Sequence, residues 1–263
     1  MMNIELTDKR ALVCGSSQGI GQAVAIELAA LGAEVTLLAR NAEALEKTKA
    51  ALSTERNQRH HVLPIDFTQP QELSVALQQR LHEATPVHIL VNNSGGPAPG
   101  AAYSAAPKAY LDAFSQHLLC NQILVQAVLE GMKAAAYGRI INILSTSVKQ
   151  PIEGLGVSNT IRAAVANWAK TLSGELGPFG ITVNNVLPGA TRTTRLAAIL
   201  ESKARRQHKS LTEIEAEEQA AIPLARFAEA QEIAFAVAFL ASPAAAYITG
   251  INLPVDGGRT ECL

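Results

Sequence analysis

The chain has 263 residues, is 48% hydrophobic but only 4% aromatic, and carries a net charge of −1. This length and aliphatic composition fit one α/β domain whose parallel sheet is buried beneath helices. The near-zero net charge excludes a strongly basic protein of the kind that binds nucleic acid or an acidic membrane surface.

The cysteines and the N-terminal residues indicate the cellular compartment of the protein. Cys14, Cys120 and Cys262 are too few and too scattered for a disulfide framework or a metal cluster, so no metal site is predicted. Residues 1–10 contain no apolar signal core. No uncharged apolar run reaches about 18 residues, the length that a membrane-spanning helix needs. We therefore expect a cytoplasmic protein without a membrane or nucleic-acid partner.

Short apolar runs alternate with helical patterns along the chain. The runs predict strands at 11–14, 35–39, 61–65, 87–91, 139–143, 182–187 and 250–255. The intervening stretches predict helices at 22–31, 42–52, 70–82, 110–135, 158–176 and 228–240. Strand–helix alternation pairs strands in parallel through right-handed crossovers. We predict an α/β fold, with a doubly wound parallel sheet and helices on both faces of a single domain over 1–263. A helical lid is expected at about 190–222.

A glycine-rich turn joins the first predicted strand to the first predicted helix. It reads Cys-Gly-Ser-Ser-Gln-Gly-Ile-Gly over 14–21. Glycines here permit close approach of a pyrophosphate, and the following helix offers free N–H groups and a positive dipole end. The same glycines could simply make a tight turn. The predicted cofactor contacts in this turn are Gly15, Ser17, Gln18, Gly19, Ile20 and Gly21.

The end of the second strand bears on which nicotinamide cofactor binds. An acidic residue there would hold the ribose hydroxyls and repel a 2′-phosphate. This chain instead has Arg40 followed by Asn41. Arginine can pair with a phosphate through two hydrogen bonds and stack on adenine. We therefore predict NADP(H) rather than NAD(H) as the cofactor. The alternative is an arginine that merely ends a strand in solvent.

Four later segments, together with the glycine turn, resemble short-chain dehydrogenases/reductases in order and spacing. The segments lie at 66–67, 92–96, 188–193 and 250–258, and the resemblance extends from about residue 8 to 258. Within that family the chain looks most like the 3-oxoacyl-carrier-protein reductase branch. The resemblance implies a Rossmann-type fold and further cofactor contacts. One of these residues, Asp66, could instead be a helix N-cap. These contacts are Asp66, Phe67, Asn93, Ser94, Gly95, Pro188, Gly189, Thr191 and Thr193.

The family's reaction centre is matched only in part. It uses an asparagine, a serine, a tyrosine and a lysine, and by resemblance Asn121 and Ser145 take the first two places. Asn121 could instead be a buried helix residue, and Ser145 an ordinary residue at a strand end. Ser158 and Arg162 stand where the family has Tyr-x-x-x-Lys. We take all four as the predicted catalytic residues, with Arg162 also bonding to the cofactor ribose.

Serine and arginine cannot replace tyrosine and lysine directly. A phenol has a pKa near 10 that a nearby cation can lower, whereas an alkyl hydroxyl is shorter and far less acidic. Arg162 stays charged and can stabilise negative charge on a substrate oxygen, or orient an acidic group. A proton would then come from Tyr103, from Tyr110 or from a water held among the serines and the asparagine.

Three functions are compatible with this sequence. The first is an NADP(H)-dependent oxidoreductase that acts on a carbonyl or hydroxyl substrate and uses a different proton donor. The second is an NADP(H)-binding protein without hydride transfer, acting as a sensor or in an assembly. The third is a non-redox reaction on a nucleotide-like or acidic ligand. We favour the first, with a small-molecule or acyl-thioester substrate. The helices at 110–135 and 158–176 are rich in Ala and Leu on more than one face, and such apolar surface suits a subunit interface. The family resemblance also implies an oligomer, so we expect a homotetramer or homodimer.

Overall fold

The computed structural model describes residues 2–81 and 86–262. Within these ranges seven parallel strands form one sheet in the order β3-β2-β1-β4-β5-β6-β7. The strand order reverses between β1 and β4, where the carboxyl ends of an open parallel sheet leave a crevice for a ligand. The strands are β1 Arg10–Cys14, β2 Glu34–Ala39, β3 His61–Pro64, β4 Ile89–Asn92, β5 Gly138–Ile143, β6 Ile181–Pro188 and β7 Asn252–Val255.

Nine α-helices connect the strands within the described ranges. The predicted helix at 110–135 is α4 and α5 joined by a π-helical turn at Ser115–Leu119. The predicted end of the helix at 70–82 lies outside the described residues. The helices are α1 Gly19–Ala30, α2 Ala42–Ala50, α3 Pro70–Leu81, α4 Pro107–Phe114, α5 Cys120–Ala134, α6 Gly156–Leu176, α7 Thr194–Gln207, α8 Leu211–Ala220 and α9 Ala230–Ala241.

Both faces of the sheet are covered by helices. On one face, α1 and α9 pack over strand residues such as Val13 and Ile141. On the other, α3, α5 and α6 pack over Leu12 and Ile140. Successive strand residues point to opposite faces, so neighbours in sequence enter different cores. The predicted doubly wound α/β fold is therefore confirmed.

Two helices lie in the segment for which a helical lid was predicted. α7 and α8 share a small apolar core that includes Leu200, Ile214 and Phe227. This pair follows β6, so it lies at the carboxyl edge of the sheet, where the crevice is. Among the described helices, none combines the length and the apolar character needed to cross a membrane.

Candidate active site

The glycine turn lies between the end of β1 and the start of α1. Gly15 and Gly19 have φ angles of 60° and 58°, and a Cβ on Gly21 would lie 2.2 Å from the Gly15 carbonyl oxygen. A side chain at position 21 would therefore displace the turn. Gln18 is the extended N-cap residue of α1, and its own side chain makes no hydrogen bond to the helix. With Ser17 and Ile20, these residues leave the first amide groups of α1 open to an anion.

The residues after β2 have two different surroundings. Arg40 is exposed and, within the described part of the chain, makes no hydrogen bond or ion pair. Asn41 caps α2, because its Oδ1 accepts a hydrogen bond from the Ala44 amide at 3.0 Å. This capping role was not predicted. The Arg40 guanidinium is therefore available to an anionic ligand, while the Asn41 carbonyl group is occupied.

Asp66 and Phe67 lie in the turn between β3 and α3. Asp66 Oδ1 accepts a hydrogen bond from the Thr68 amide at 2.9 Å, so this carboxylate stabilises the turn. The Phe67 carbonyl oxygen accepts a hydrogen bond from Cys120 Sγ at 3.3 Å. This bond links the turn to α5, whose next residue is Asn121.

The turn after β4 contacts the glycine turn. Asn93 Nδ2 donates to the carbonyl oxygens of Cys14 and Gly15 at 3.3 and 3.4 Å, which ties the two turns together. Ser94 follows and is half-buried. A Cβ on Gly95 would meet nothing within 4 Å among the described residues, so this backbone leaves open space for a ligand.

The Pro188-Gly189 turn at the end of β6 brings two threonines to the same crevice. Thr191 Oγ1 donates to the Gly189 carbonyl oxygen at 3.0 Å. Thr193 caps α7 through its Oγ1. A Cβ on Gly19 would lie 3.3 Å from Thr193 Cγ2, so Thr193 faces the glycine turn. Three of the predicted cofactor segments thus lie together at the carboxyl edge of the sheet.

Three of the predicted catalytic residues lie just after β5 or on α6. Ser145 follows β5, and its Oγ accepts a hydrogen bond from the Ser147 amide at 3.1 Å. Ser158 and Arg162 are one turn apart on α6, and both are buried. Arg162 Nη1 donates to the Ile143 carbonyl oxygen at 2.8 Å. This bond holds the guanidinium against the strand that carries Ser145.

Arg162 and the fourth predicted residue, Asn121, line one small cavity. Its volume is about 10 Å³, which is about the space of one water. Asn121 is buried, and its side chain makes no hydrogen bond with any described residue. Ser145 and Ser158 are not in this cavity wall. The polar residues that line it are Asn92, Asn93, Ser94, His117, Asn121 and Arg162.

His117 lies in the cavity wall and was not predicted as a functional residue. It is 4% exposed and lies on the π-helical turn, four residues before Asn121. Its Nδ1 is 2.8 Å from Ser94 Oγ, and its Nε2 is buried without a partner among the described residues. Burial, followed by the charges of Arg162 and Arg195, lowers the His117 pKa to about 3. The i, i+4 spacing to Asn121 is the sequence signal that could have found it.

A row of four asparagines, all buried except the exposed Asn252, crosses the sheet and ends at this cavity. Asn92 Nδ2 donates to Asn142 Oδ1, and Asn142 Nδ2 donates to Asn185 Oδ1, both at 2.8 Å. Asn185 Nδ2 continues the row to Asn252 Oδ1 at 2.8 Å. At the cavity end, Asn92 Oδ1 has no partner among the described residues. A buried acceptor is costly to leave unpaired, so this wall is suited to a water or a polar ligand.

Two arginines make the site positively charged. Burial, and to a lesser extent the charge of Arg195, lowers the pKa of Arg162 to about 10, so Arg162 is protonated at neutral pH. Arg195 lies at the start of α7 and donates to the carbonyl oxygens of Gly96 and Pro97 at 3.1 and 2.9 Å. These bonds hold α7 against the turn after β4.

Neither tyrosine considered as a proton donor lines the cavity. Tyr103 is 95% exposed. Tyr110 donates its hydroxyl proton to the Ala102 carbonyl oxygen at 3.3 Å. The arrangement therefore favours a proton route through groups of the cavity wall rather than through these phenols.

Comparisons with known proteins agree with this fold and crevice. A family model described as Enoyl-(Acyl carrier protein) reductase matches residues 15–260. NADPH-dependent reductase BacG of Bacillus subtilis (strain 168) is 30% identical over 261 residues, which cover 98% of this chain and 100% of BacG. The 3-oxoacyl-[acyl-carrier-protein] reductase FabG of Escherichia coli (strain K12) is 35% identical over 257 residues, 98% of each chain.

Solved structures give the same result. L-sorbose reductase from Gluconobacter frateurii, crystallised with NADPH and L-sorbose, matches with a TM-score of 0.92 at 27% identity, over 100% of both chains. The family model and the two relatives each span nearly the whole of this chain. The chain therefore belongs to the short-chain dehydrogenase/reductase family of oxidoreductases, and within that family it resembles the 3-oxoacyl-carrier-protein reductases.

Proposed function

We propose that this protein is an NADP(H)-dependent reductase of a carbonyl substrate, in which a buried arginine takes over from the family's tyrosine–lysine pair. The observation that carries this proposal is the position of Arg162. It is protonated, bonded to the Ile143 carbonyl oxygen, and placed beside Asn121 in the cavity. A fixed cation in a water-poor site stabilises developing negative charge more strongly than it would in water.

The residues around the crevice fit NADP(H). The glycine turn has no room for a Cβ on Gly21, and the start of α1 offers amide groups suited to a pyrophosphate. Arg40 is free of protein partners within the described residues and can bind a 2′-phosphate. When bound, NADPH supplies the hydride for carbonyl reduction. The relative BacG is named as NADPH-dependent, and the sorbose reductase was crystallised with NADPH, which supports the same cofactor here.

Replacing Arg40 with alanine should weaken NADPH binding by about 10- to 100-fold, because a charge-assisted hydrogen bond to the 2′-phosphate is lost. NADH binding should stay unchanged, since NADH lacks this phosphate. Dissociation constants for both nucleotides would be measured by calorimetric titration. Arg59→Ala removes another exposed arginine and is the control. Equal weakening of NADPH and NADH binding would contradict the assignment of Arg40.

Two groups of this chain can hold the substrate oxygen. Arg162 uses one of its five N–H groups in a hydrogen bond within the described residues, which leaves donors for a substrate. Ser145 Oγ accepts from the Ser147 amide, so its own proton is free to be donated. Both groups bind an oxyanion more strongly than a neutral carbonyl, and they therefore favour its formation.

The proton that completes the hydroxyl product needs a route without a phenol. With a pKa of about 3, His117 is neutral at pH 7 and holds no extra proton to give. A neutral imidazole can still relay a proton, because it accepts one at one ring nitrogen as it releases another from the other nitrogen. The Ser94 hydroxyl bonds to Nδ1 of His117, and Ser94 is half-buried. On the other side of the ring, Nε2 has no partner among the described residues. We assign the route to Ser94, His117 and a water in the cavity.

The proposed function is tested by NADPH oxidation with a panel of ketones, 3-oxoacyl thioesters and quinones. The wild type would be compared with the double variant Ser158→Tyr, Arg162→Lys, which restores the family's pair. We expect turnover of at least one substrate by the wild type. Activity in the double variant alone would mean an NADP(H)-binding protein that lacks hydride transfer. Loss of NADPH binding altogether would favour a non-redox reaction.

We also propose that residues 1–263 form one domain in which α7 and α8 cover the substrate. The two hydrogen bonds from Arg195 to the turn after β4 support this position for α7. We retain the cytoplasmic homotetramer or homodimer expected from the sequence. Leu111, Phe114 and Leu119 are exposed along α4 and the π-helical turn, and such apolar side chains suit a subunit interface.

A further inference from the structure

A second and larger cavity lies beside α7. Its volume is about 270 Å³, so it can hold a small organic molecule rather than a single water. Pro99, from the segment after β4, forms one part of its wall. Ala198 and Ile199 supply apolar surface on α7, and Arg195 is the one charged residue among the described residues that line it.

Arg195 links this cavity to the reaction centre. Its charge lowers the pKa values of both Arg162 and His117, which line the smaller cavity. Two of its five N–H groups bind the carbonyl oxygens of Gly96 and Pro97. Three N–H groups therefore remain for a ligand. Arg195 therefore lines the larger cavity and is close enough to Arg162 and His117 for its charge to act on both.

Among the described residues, no carboxylate pairs with either of these two cations. Neither Arg162 nor Arg195 forms an ion pair with any described residue. Arg192, only three residues before Arg195, does pair with a carboxylate, that of Glu229, at 3.2 Å. The charge of Arg195 disfavours the protonated form of the buried Arg162, and a bound anion would relieve that repulsion.

We propose that the substrate is an oxo-carboxylic acid whose carboxylate is bound by Arg195 and whose carbonyl group faces Arg162. A carboxylate suits the site because its planar pair of oxygens matches the remaining N–H groups of one guanidinium. The inference rests on the proposed reductase function, since it names the substrate class for that same site. An enzyme for a neutral acyl thioester would not need a cation that binds a substrate carboxylate, so the two substrate classes can be distinguished by experiment.

Binding is measured first, with the protein saturated with NADP+ so that no reduction occurs. The probes are pyruvate, acetoacetate and levulinate, each paired with its methyl ester, which keeps the carbonyl group but removes the charge. At least one acid should bind about 10- to 100-fold more tightly than its ester, the expected contribution of a charged hydrogen bond. Arg195→Gln should abolish this preference, because glutamine retains an N–H donor for the loop carbonyls but has no charge. Arg205→Gln, an exposed position on α7, is the matched control.

Each result decides between the two proposals. Equal binding of acids and esters by the wild type, or a preference that survives in Arg195→Gln, overturns the carboxylate site. The carboxylate site is also overturned if Arg195→Gln loses as much affinity for NADP+ as for the acid, because this arginine would then bind a cofactor phosphate. Turnover with NADPH is then measured separately. An acid that binds through Arg195 but is never reduced leaves the carboxylate site intact and rejects the reductase function.

Discussion

Replacing Arg162 with leucine should lower kcat for carbonyl reduction by about 100- to 1000-fold, or about 3–4 kcal/mol of transition-state stabilisation. The reason is the position of the guanidinium, which is buried, protonated and bonded to the end of β5. Leucine cannot bind an oxyanion. Because the charge on the oxygen grows during the reaction, kcat should fall more than the affinity for NADPH. Steady-state kinetics and nucleotide titration on the same preparation would separate the two effects.

Two variants control this experiment. Arg139→Leu removes another buried arginine, one at the opposite end of β5 that bonds to the Gly138 carbonyl oxygen. It should lower stability without changing kcat. Arg162→Lys keeps the charge and should retain part of the activity. If Arg162→Leu raised only the Kd for NADPH and left kcat unchanged, Arg162 would be a cofactor-binding residue alone.

Lowering the pH from 6.5 to 4.5 should cost the wild type about 2 kcal/mol of unfolding free energy through His117 alone. The His117 pKa is about 3 in the folded protein, below the ordinary value of 6.5. The unfolded chain therefore binds a proton below about pH 6.5, while the folded protein does so only near pH 3. Stability from this residue is present at neutral pH and is lost as the pH falls through this window.

Chemical denaturation at several pH values checks this result. In His117→Leu the fall in unfolding free energy between pH 6.5 and 4.5 should be smaller than in the wild type by about 2 kcal/mol. Leu118→Ala destabilises the same π-helical turn without removing a titrating group, so it should keep the wild-type pH dependence. Parallel curves for the wild type and His117→Leu would show that the folded protein does not hold this ring neutral.

The fold was predictable because its determinants are local. Apolar runs bury a strand on both faces, and the periodic stretches between them bury one side of a helix. Errors fell at element ends: α1 begins at Gly19 rather than at 22, since its first turn belongs to the glycine turn and carries no apolar pattern. The long helix predicted at 110–135 was confirmed as a continuous helical segment, but the π-helical turn within it left no signal in the apolar spacing.

The site was predictable only where a motif marks it. Asn121 and Arg162 were found from their spacing to known segments, and the structure places both in one cavity. His117 was missed because its importance depends on Ser94, which lies in a different turn. The asparagine row was missed for the same reason, since each of its hydrogen bonds joins residues on different strands.

The sequence by itself determined the α/β class, the parallel pairing, the glycine turn and the replacement of Tyr-x-x-x-Lys by Ser158 and Arg162. Each of these depends on residue types at short separations, which a linear pattern contains. Tertiary structure alone decided the surroundings of Arg162. It brought His117 from the π-helical turn into the same cavity wall and Arg195 from α7 near enough for its charge to act on Arg162, without an ion-paired carboxylate for either arginine among the described residues. Charge and burial act through space, so the chemistry of this site became visible only once distant segments were folded together.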